Sequence, residues 1–115
     1  MSASCVFCDI VAGRAPATIV REWPEAIAFV PLNPVTPGHT LVIPRRHVRD
    51  AGQNPLITKE VMGCAAVLMG ELPSANLITS QGSAATQTVP HLHAHVVPRR
   101  PGDGLPLPWT PQQKA

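Results

Sequence analysis

The sequence predicts an α+β domain, a five-stranded antiparallel sheet packed against one main helix. Three observations carry this: short apolar runs closed by proline or glycine, a single stretch of helical periodicity, and a row of histidines alternating with apolar residues near the C-terminus. The 115 residues suit a single domain, assigned here to residues 1–104, with a proline-rich tail over 105–115.

Residues 18–21 and 26–30 read as short strands, and Trp23-Pro24-Glu25 between them reads as the turn of a hairpin. Residues 33–38 hold two prolines and a glycine, which exclude regular structure. That loop delivers His39 to a third strand, 40–43, closed by Pro44. Thr58 is the expected cap of the helix, in which Val61, Ala65, Leu68 and Leu72 form one apolar stripe before Pro73 stops it. Met62, Ala66 and Met69 lie off the stripe, and Gly63 and Gly70 are small. The polar side is therefore thin, and the helix needs cover on more than one face, from its own core or from a second copy of the chain. Residues 76–80 read as a fourth strand, 81–88 as a small-residue loop and 89–98 as the fifth strand. From Arg99 onward an extended tail is expected.

About 44% of the residues are apolar and 14% charged, with a net charge of +2. This describes a globular protein without a nucleic-acid-binding surface. Arg45, Arg46 and Arg49 cluster in one segment and Arg99 and Arg100 in another. They read either as solvated strand ends or as local attraction for a small anion. No apolar run approaches the roughly 20 residues that span a bilayer. The opening Met1-Ser2-Ala3-Ser4-Cys5 lacks the basic and apolar regions of a signal peptide, so a cytoplasmic location is expected. In that compartment the three cysteines read as thiols or metal ligands rather than disulfides. Cys64, inside the helical pattern, reads as a small core residue. The fourteen prolines punctuate segment ends, and no internal repeat is visible.

The histidines carry the chemistry. In His91-Leu92-His93-Ala94-His95, a strand of period two places three imidazoles on one face and Leu92, Ala94 and Val96 on the other, toward the core. Three of the chain's five histidines in such a row are not a packing solution. Metal ligation and nucleophilic catalysis each use imidazole. Same-face neighbours lie about 7 Å apart and the outer pair about 13 Å, at a rise of roughly 3.3 Å per residue. Zinc–nitrogen bonds are about 2 Å, so one ion does not collect all three and the row divides its labour. His93, with an imidazole on each side, is the candidate nucleophile toward a phosphoryl centre. Gln87, Thr88 and the backbone at Gly82 are candidate phosphate donors.

Pro37-Gly38-His39-Thr40-Leu41-Val42-Ile43-Pro44 and Gln87-Thr88-Val89-Pro90-His91-Leu92-His93-Ala94-His95 resemble the two signature blocks of the histidine triad family. Cys5-Val6-Phe7-Cys8-Asp9-Ile10 resembles the start of its zinc-containing bacterial members. The likeness runs from about Cys5 to Trp109. It implies a nucleotidyl hydrolase or transferase acting through a nucleotidylated histidine. In that reading His93 is the nucleophile, His95 binds and stabilises the phosphate, and His39 supports the row. Gln87 contacts the phosphate or the bridging atom and Thr88 assists the leaving group. The family pattern also implies a homodimer with a small-molecule nucleotide in each cleft, and Trp109 either touches the partner's cleft or anchors the tail to its own domain. Phe7, Ile10, Phe29 and Leu32 are candidate walls of the nucleoside pocket, but each reads first as an ordinary core residue.

The same resemblance implies structural zinc held by Cys5 and Cys8 of a C-x-x-C knuckle with His47 and His91, a closed four-ligand site. Ordinary cytosolic thiols are the alternative. Three positions depart from the family pattern. Pro31 stands where an acidic residue commonly binds the ribose hydroxyls, with Asn33 as the nearby substitute. Ser80 stands where many relatives carry asparagine near the phosphate. The stretch 48–75 is short, which weakens the expectation of a dimer. Two further readings stay open beside the enzyme: a nucleotide-binding module with little turnover, and a metallohydrolase using His93 and His95 on a catalytic zinc.

Overall fold

The computed structural model describes residues 5–109. Residues 1–4 and 110–115, on which the leader reading and part of the tail assignment fall, lie outside the described residues. The strands are β1 (Ile19–Glu22), β2 (Ala26–Phe29), β3 (Thr40–Pro44), β4 (Ala75–Ile78) and β5 (Ala94–Pro98), and the helices α1 (Val6–Val11) and α2 (Pro55–Met69). They form one five-stranded sheet in the order β1-β2-β3-β5-β4, every neighbouring pair antiparallel. The expected α+β architecture is therefore the observed one. The hairpin turn at Trp23-Pro24-Glu25 is closed by the Trp23 N–H donating to the Ala26 carbonyl at 2.8 Å.

Each central strand is buried on both sides, and alternation divides its residues between two cores. Ala26, Ala28, Val42, Leu92, Ala94 and Val96 pack against Ile57, Val61, Cys64, Ala65 and Leu68 of α2. Ile27, Phe29, Leu41 and Ile43 face the other way and pack against Phe7 of α1. Full burial of side chains such as Ile43, Leu92 and Val61 contributes roughly 1.5–3 kcal/mol each. Gly38, at φ +88, turns the chain into β3 beside Pro98; a Cβ there would sit 3.1 Å from the proline Cγ.

Several elements differ from the sequence expectation. Asn54, not Thr58, caps α2: its side-chain oxygen accepts from the Leu56 and Ile57 N–H groups, and Pro55 opens the first turn, where its missing N–H costs nothing. The Thr58 hydroxyl instead donates to the Ala51 carbonyl at 2.7 Å. The helix ends at Met69 with Gly70 as its cap, short of Pro73. Regular strand pairing in β5 begins at Ala94 rather than Val89. Nor is the tail simply extended: the Arg99 guanidinium grips both Asp103 carboxylate oxygens, at 2.8 and 3.0 Å, and the Leu105 carbonyl. Trp109 is 76% exposed, so it does not anchor the tail to its own domain. Helix α1 had no counterpart in the sequence reading. Among the described residues no helix is long and apolar enough to cross a membrane.

Candidate active site

Two sites share the face of the sheet that α1 covers. The first is a cluster of Cys5, Cys8, His47 and His91, whose four donor atoms all lie within 4.8 Å of one another. Cys5 sits at the N-cap of α1 and Cys8 one turn on, so the helix itself sets the pair's spacing. The Nδ1 atom of His91 is 3.4 Å from the Cys5 sulfur, 3.5 Å from the Cys8 sulfur and 3.2 Å from Nδ1 of His47. The other His91 nitrogen, Nε2, donates to the buried Pro44 carbonyl at 3.0 Å. In the neutral ring, Nδ1 is then a lone pair aimed at three further donors. Bond lengths of about 2.3 Å for Zn–S and 2.0–2.1 Å for Zn–N give tetrahedral edges of roughly 3.3–3.8 Å, close to the spacings found. The backbone carbonyl that fixes the His91 tautomer supplies the outer-shell contact a metal-binding imidazole needs. The residues fit zinc.

Without a cation, the cluster keeps its thiol and imidazole uncharged. Burial, reinforced by the hydrogen bond and charge of Cys5, pushes the Cys8 thiol up to about 11. Burial pulls His91 down to about 4, keeping it neutral. A cation reverses the first effect by replacing the thiol proton and exploits the second.

The second site begins two residues on. The carbonyl of His91 accepts from Nδ1 of His93 at 2.8 Å, which leaves the lone pair of neutral His93 on Nε2. The Val35 N–H donates to Nδ1 of His39 at 3.1 Å, so Nε2 of neutral His39 carries the hydrogen and donates it to Nδ1 of His95 at 2.9 Å. His95 then presents Nε2–H. Each ring is oriented by a different partner, and adjacent rings present a lone pair and a donor. The His93 and His95 ring centres are 5.3 Å apart. Burial first, then the neighbouring His93 and His39, lowers His95 to about 4, and burial lowers His39.

His93 and His95 open onto a cleft of about 750 Å³. Phe7, Ile10, Phe29 and Leu41 line it, and Pro31, Leu32 and Asn33 bound it beyond the end of β2, with Thr88 and Val89 beside the histidines. Strand pairing sets the layout: His95 is opposite Leu41 on β3, which is opposite Phe29 on β2. From the histidines to the β2 side is two strand spacings, roughly 10 Å.

Residues 12–102 match the HIT domain family. This chain belongs to the HIT, or histidine triad, family. It is 31% identical over 108 residues to the adenylylsulfatase HINT3 of Arabidopsis thaliana, covering 88% of this chain and 55% of that protein. Among solved structures it is similar to a Zn-bound histidine triad family protein from Mycobacterium smegmatis, at 38% identity and a TM-score of 0.77, covering 94% of this chain and 84% of that one. It is also similar to a HIT family hydrolase from Clostridium thermocellum, at 32% identity and a TM-score of 0.78, covering 89% and 96%.

In this HIT protein the structure brings together most of the residues singled out from the sequence. His93, His95, Thr88 and Asn33 line the cleft, and His39 lies behind His95. The candidate walls Phe7, Ile10, Phe29 and Leu32 line it too. Gln87 and Ser80 are not among the lining residues. The Gln87 amide oxygen accepts from the Gly82 N–H at 2.9 Å, and its nitrogen donates to the Arg49 and Val89 carbonyls at 2.8 and 3.0 Å. Gln87 and Gly82 thus close the loop on itself. Near Ser80 it is the Thr79 hydroxyl that reaches the row, donating to the His93 carbonyl at 2.8 Å. Cys64 is buried in the core, as expected.

Sequence reasoning missed the backbone groups that fix the HIT histidines, the Val35 N–H and the carbonyls of Pro44 and His91, because main-chain atoms leave no residue-type signature. Arg100, read from the sequence as a solvated strand end or an anion contact, donates instead to Thr36 Oγ1 at 2.8 Å and so ties the tail to the loop carrying His39.

Proposed function

We propose that this HIT protein is a nucleotidyl hydrolase or transferase that cleaves at the α-phosphate of a nucleotide through a nucleotidyl-His93 intermediate. The observation that carries the reading is the 2.8 Å hydrogen bond from His93 Nδ1 to the His91 carbonyl, which leaves Nε2 as the nucleophilic edge at the wall of an apolar cleft. The names of the relatives support the coarser class, hydrolysis.

Neutral His93 attacks the phosphorus; the Nε2–P bond forms and the bond to the leaving group breaks. The His95 Nε2–H donates to a phosphate oxygen, stabilising charge with a group already in place. The leaving group, an amine, a carboxylate, a sulfate or a nucleoside polyphosphate, departs with a proton from solvent where its basicity requires one. Water then attacks the phosphorus, the P–N bond breaks, its electron pair returns to His93, and the water's proton leaves with the nucleoside monophosphate or to solvent. In this reading Thr88, which lines the cleft beside the histidines, assists the leaving group, and Asn33 on the same cleft meets the sugar.

Cys5, Cys8, His47 and His91 would hold a structural zinc ion, which supplies no chemistry to the reaction and fixes the strand leading into His93. The exposed face of α2, with Leu56 73% and Val67 48% exposed, is the surface through which two copies would pair.

The test is nucleoside monophosphate release from adenosine phosphoramidate and from diadenosine polyphosphates by the zinc-loaded protein, with His93→Ala as control. Release that disappears in the variant supports the reading. Substantial release by the variant contradicts it.

A further inference from the structure

The two sites described above are joined by one side chain. The ring of Phe7 stands edge-on to His91 of the metal cluster, with ring centres 5.8 Å apart, and edge-on to His93 of the cleft at 5.2 Å. A third edge-on contact, at 5.5 Å, meets Phe29 on the β2 side of the cleft. Phe7 is buried and sits between Cys5 and Cys8 in the chain, so both neighbouring metal ligands bracket it. The short helix α1 also lends Val6 and Ile10 to the cleft.

We propose that Phe7 is a positioning residue that couples the metal cluster to the nucleotide cleft, so that a divalent zinc-type cation and a nucleoside monophosphate each bind more tightly in the presence of the other. The proposal rests on the nucleotide reading of the cleft given above.

A six-residue helix is too short to be stable alone. Its place on the sheet depends on apolar packing and on the two cysteines. A cation shared by Cys5, Cys8, His47 and His91 draws the helix onto the sheet and seats Phe7 against His93. The wall that a nucleoside touches is then ordered before it arrives, and the nucleotide meets a smaller entropic cost. The converse follows from linkage: a nucleoside pressing on Phe7 holds the helix that carries two of the four metal ligands. The direction of the coupling is therefore positive, and its size is the same read from either ligand.

The experiment measures zinc affinity by competition with a chromophoric chelator, with and without saturating AMP, in the full chain and in Phe7→Leu and Ile10→Ala. The expected result is zinc binding at least about fivefold tighter with AMP, a coupling lost in Phe7→Leu and retained in Ile10→Ala. Ile10 lines the same cleft without the ring contacts, so its variant separates coupling from a general loss of apolar wall. Should Phe7→Leu fail to fold, Phe7→Met, which keeps the bulk without the ring edge, takes its place. AMP that binds while changing zinc affinity less than twofold overturns the proposal and leaves the hydrolase reading standing. Coupling that persists in Phe7→Leu overturns the role of Phe7. Failure of AMP to bind overturns both the nucleotide reading and the inference built on it.

Discussion

His39 Nε2 lies 2.9 Å from Nδ1 of His95, while the other nitrogen of His39 accepts the Val35 N–H. One backbone amide in a proline-bounded loop therefore fixes the tautomers of two imidazoles in series and turns His95 Nε2–H outward. The pair works only with both rings neutral, since a proton added to either Nδ1 sets donor against donor.

That requirement gives a pH dependence with a definite sign. Burial lowers His95 to about 4 and lowers His39, so the unfolded chain binds these protons more readily than the folded one. The stability contributed by keeping the rings neutral is complete above the ordinary value of about 6.5 and is lost as pH falls toward 4. NMR titration of the imidazoles is expected to leave His95 neutral until pH approaches 4. His39→Ala removes both the bond from Val35 and the bond to His95; loss of the latter, worth about 0.5–1.5 kcal/mol, is expected to slow turnover by up to about tenfold with little change in AMP binding. A His95 that titrates near 6.5 contradicts the tautomer chain.

Removal of the metal is expected to loosen or unfold the protein. Structural zinc contributes about 10–16 kcal/mol in small peptides, comparable to a small domain's whole stability of about 5–15 kcal/mol. Cys8→Ser should reproduce the effect of a chelator. A melting temperature unchanged after confirmed metal loss would falsify the structural role.

Much of this was legible because period two is unforgiving. The alternation of His91, His93 and His95 with Leu92, Ala94 and Val96 fixes which side of the sheet each takes, and the structure keeps that division even where regular pairing has not yet begun. What stayed hidden depends on closure in three dimensions. Gln87 offers a long polar side chain in a loop beside the histidines, but three backbone groups consume its hydrogen bonds. Six residues cannot display helical periodicity, so α1 left no trace, and its cap is a cysteine thiol rather than one of the usual capping residues. The start of α2 was visible in Asn54-Pro55, an N-cap followed by proline in the first turn, a stronger signal than the hydroxyl of Thr58.

Pro31 lines the cleft beside Asn33, and among the described lining residues there is no Asp or Glu. Introducing a carboxylate there with Pro31→Asp adds an acceptor for the sugar hydroxyls, worth about 1.5–3 kcal/mol for a charged hydrogen bond. The ratio of activity on adenosine to 2′-deoxyadenosine phosphoramidate is expected to rise about tenfold or more. An unchanged ratio places the sugar elsewhere.

Leu56 and Val67 stand exposed on α2 near Trp23 and Gly63. If two copies meet there, Val67→Glu buries a charge at the contact and converts a dimer into monomers in light scattering at micromolar concentration. A dimer of unchanged stability in that variant means that pairing uses another surface.

Nucleotidyl transfer through His93 requires a covalent adduct on that residue during turnover. Rapid acid-free quenching of the zinc-loaded protein during turnover of adenosine phosphoramidate, followed by mass spectrometry of its peptides, tests it most directly. One adenylyl group is expected on the peptide containing His93, formed and lost at rates compatible with turnover and absent from His93→Ala. Turnover with no adduct on that peptide, or an adduct on His95 instead, contradicts it.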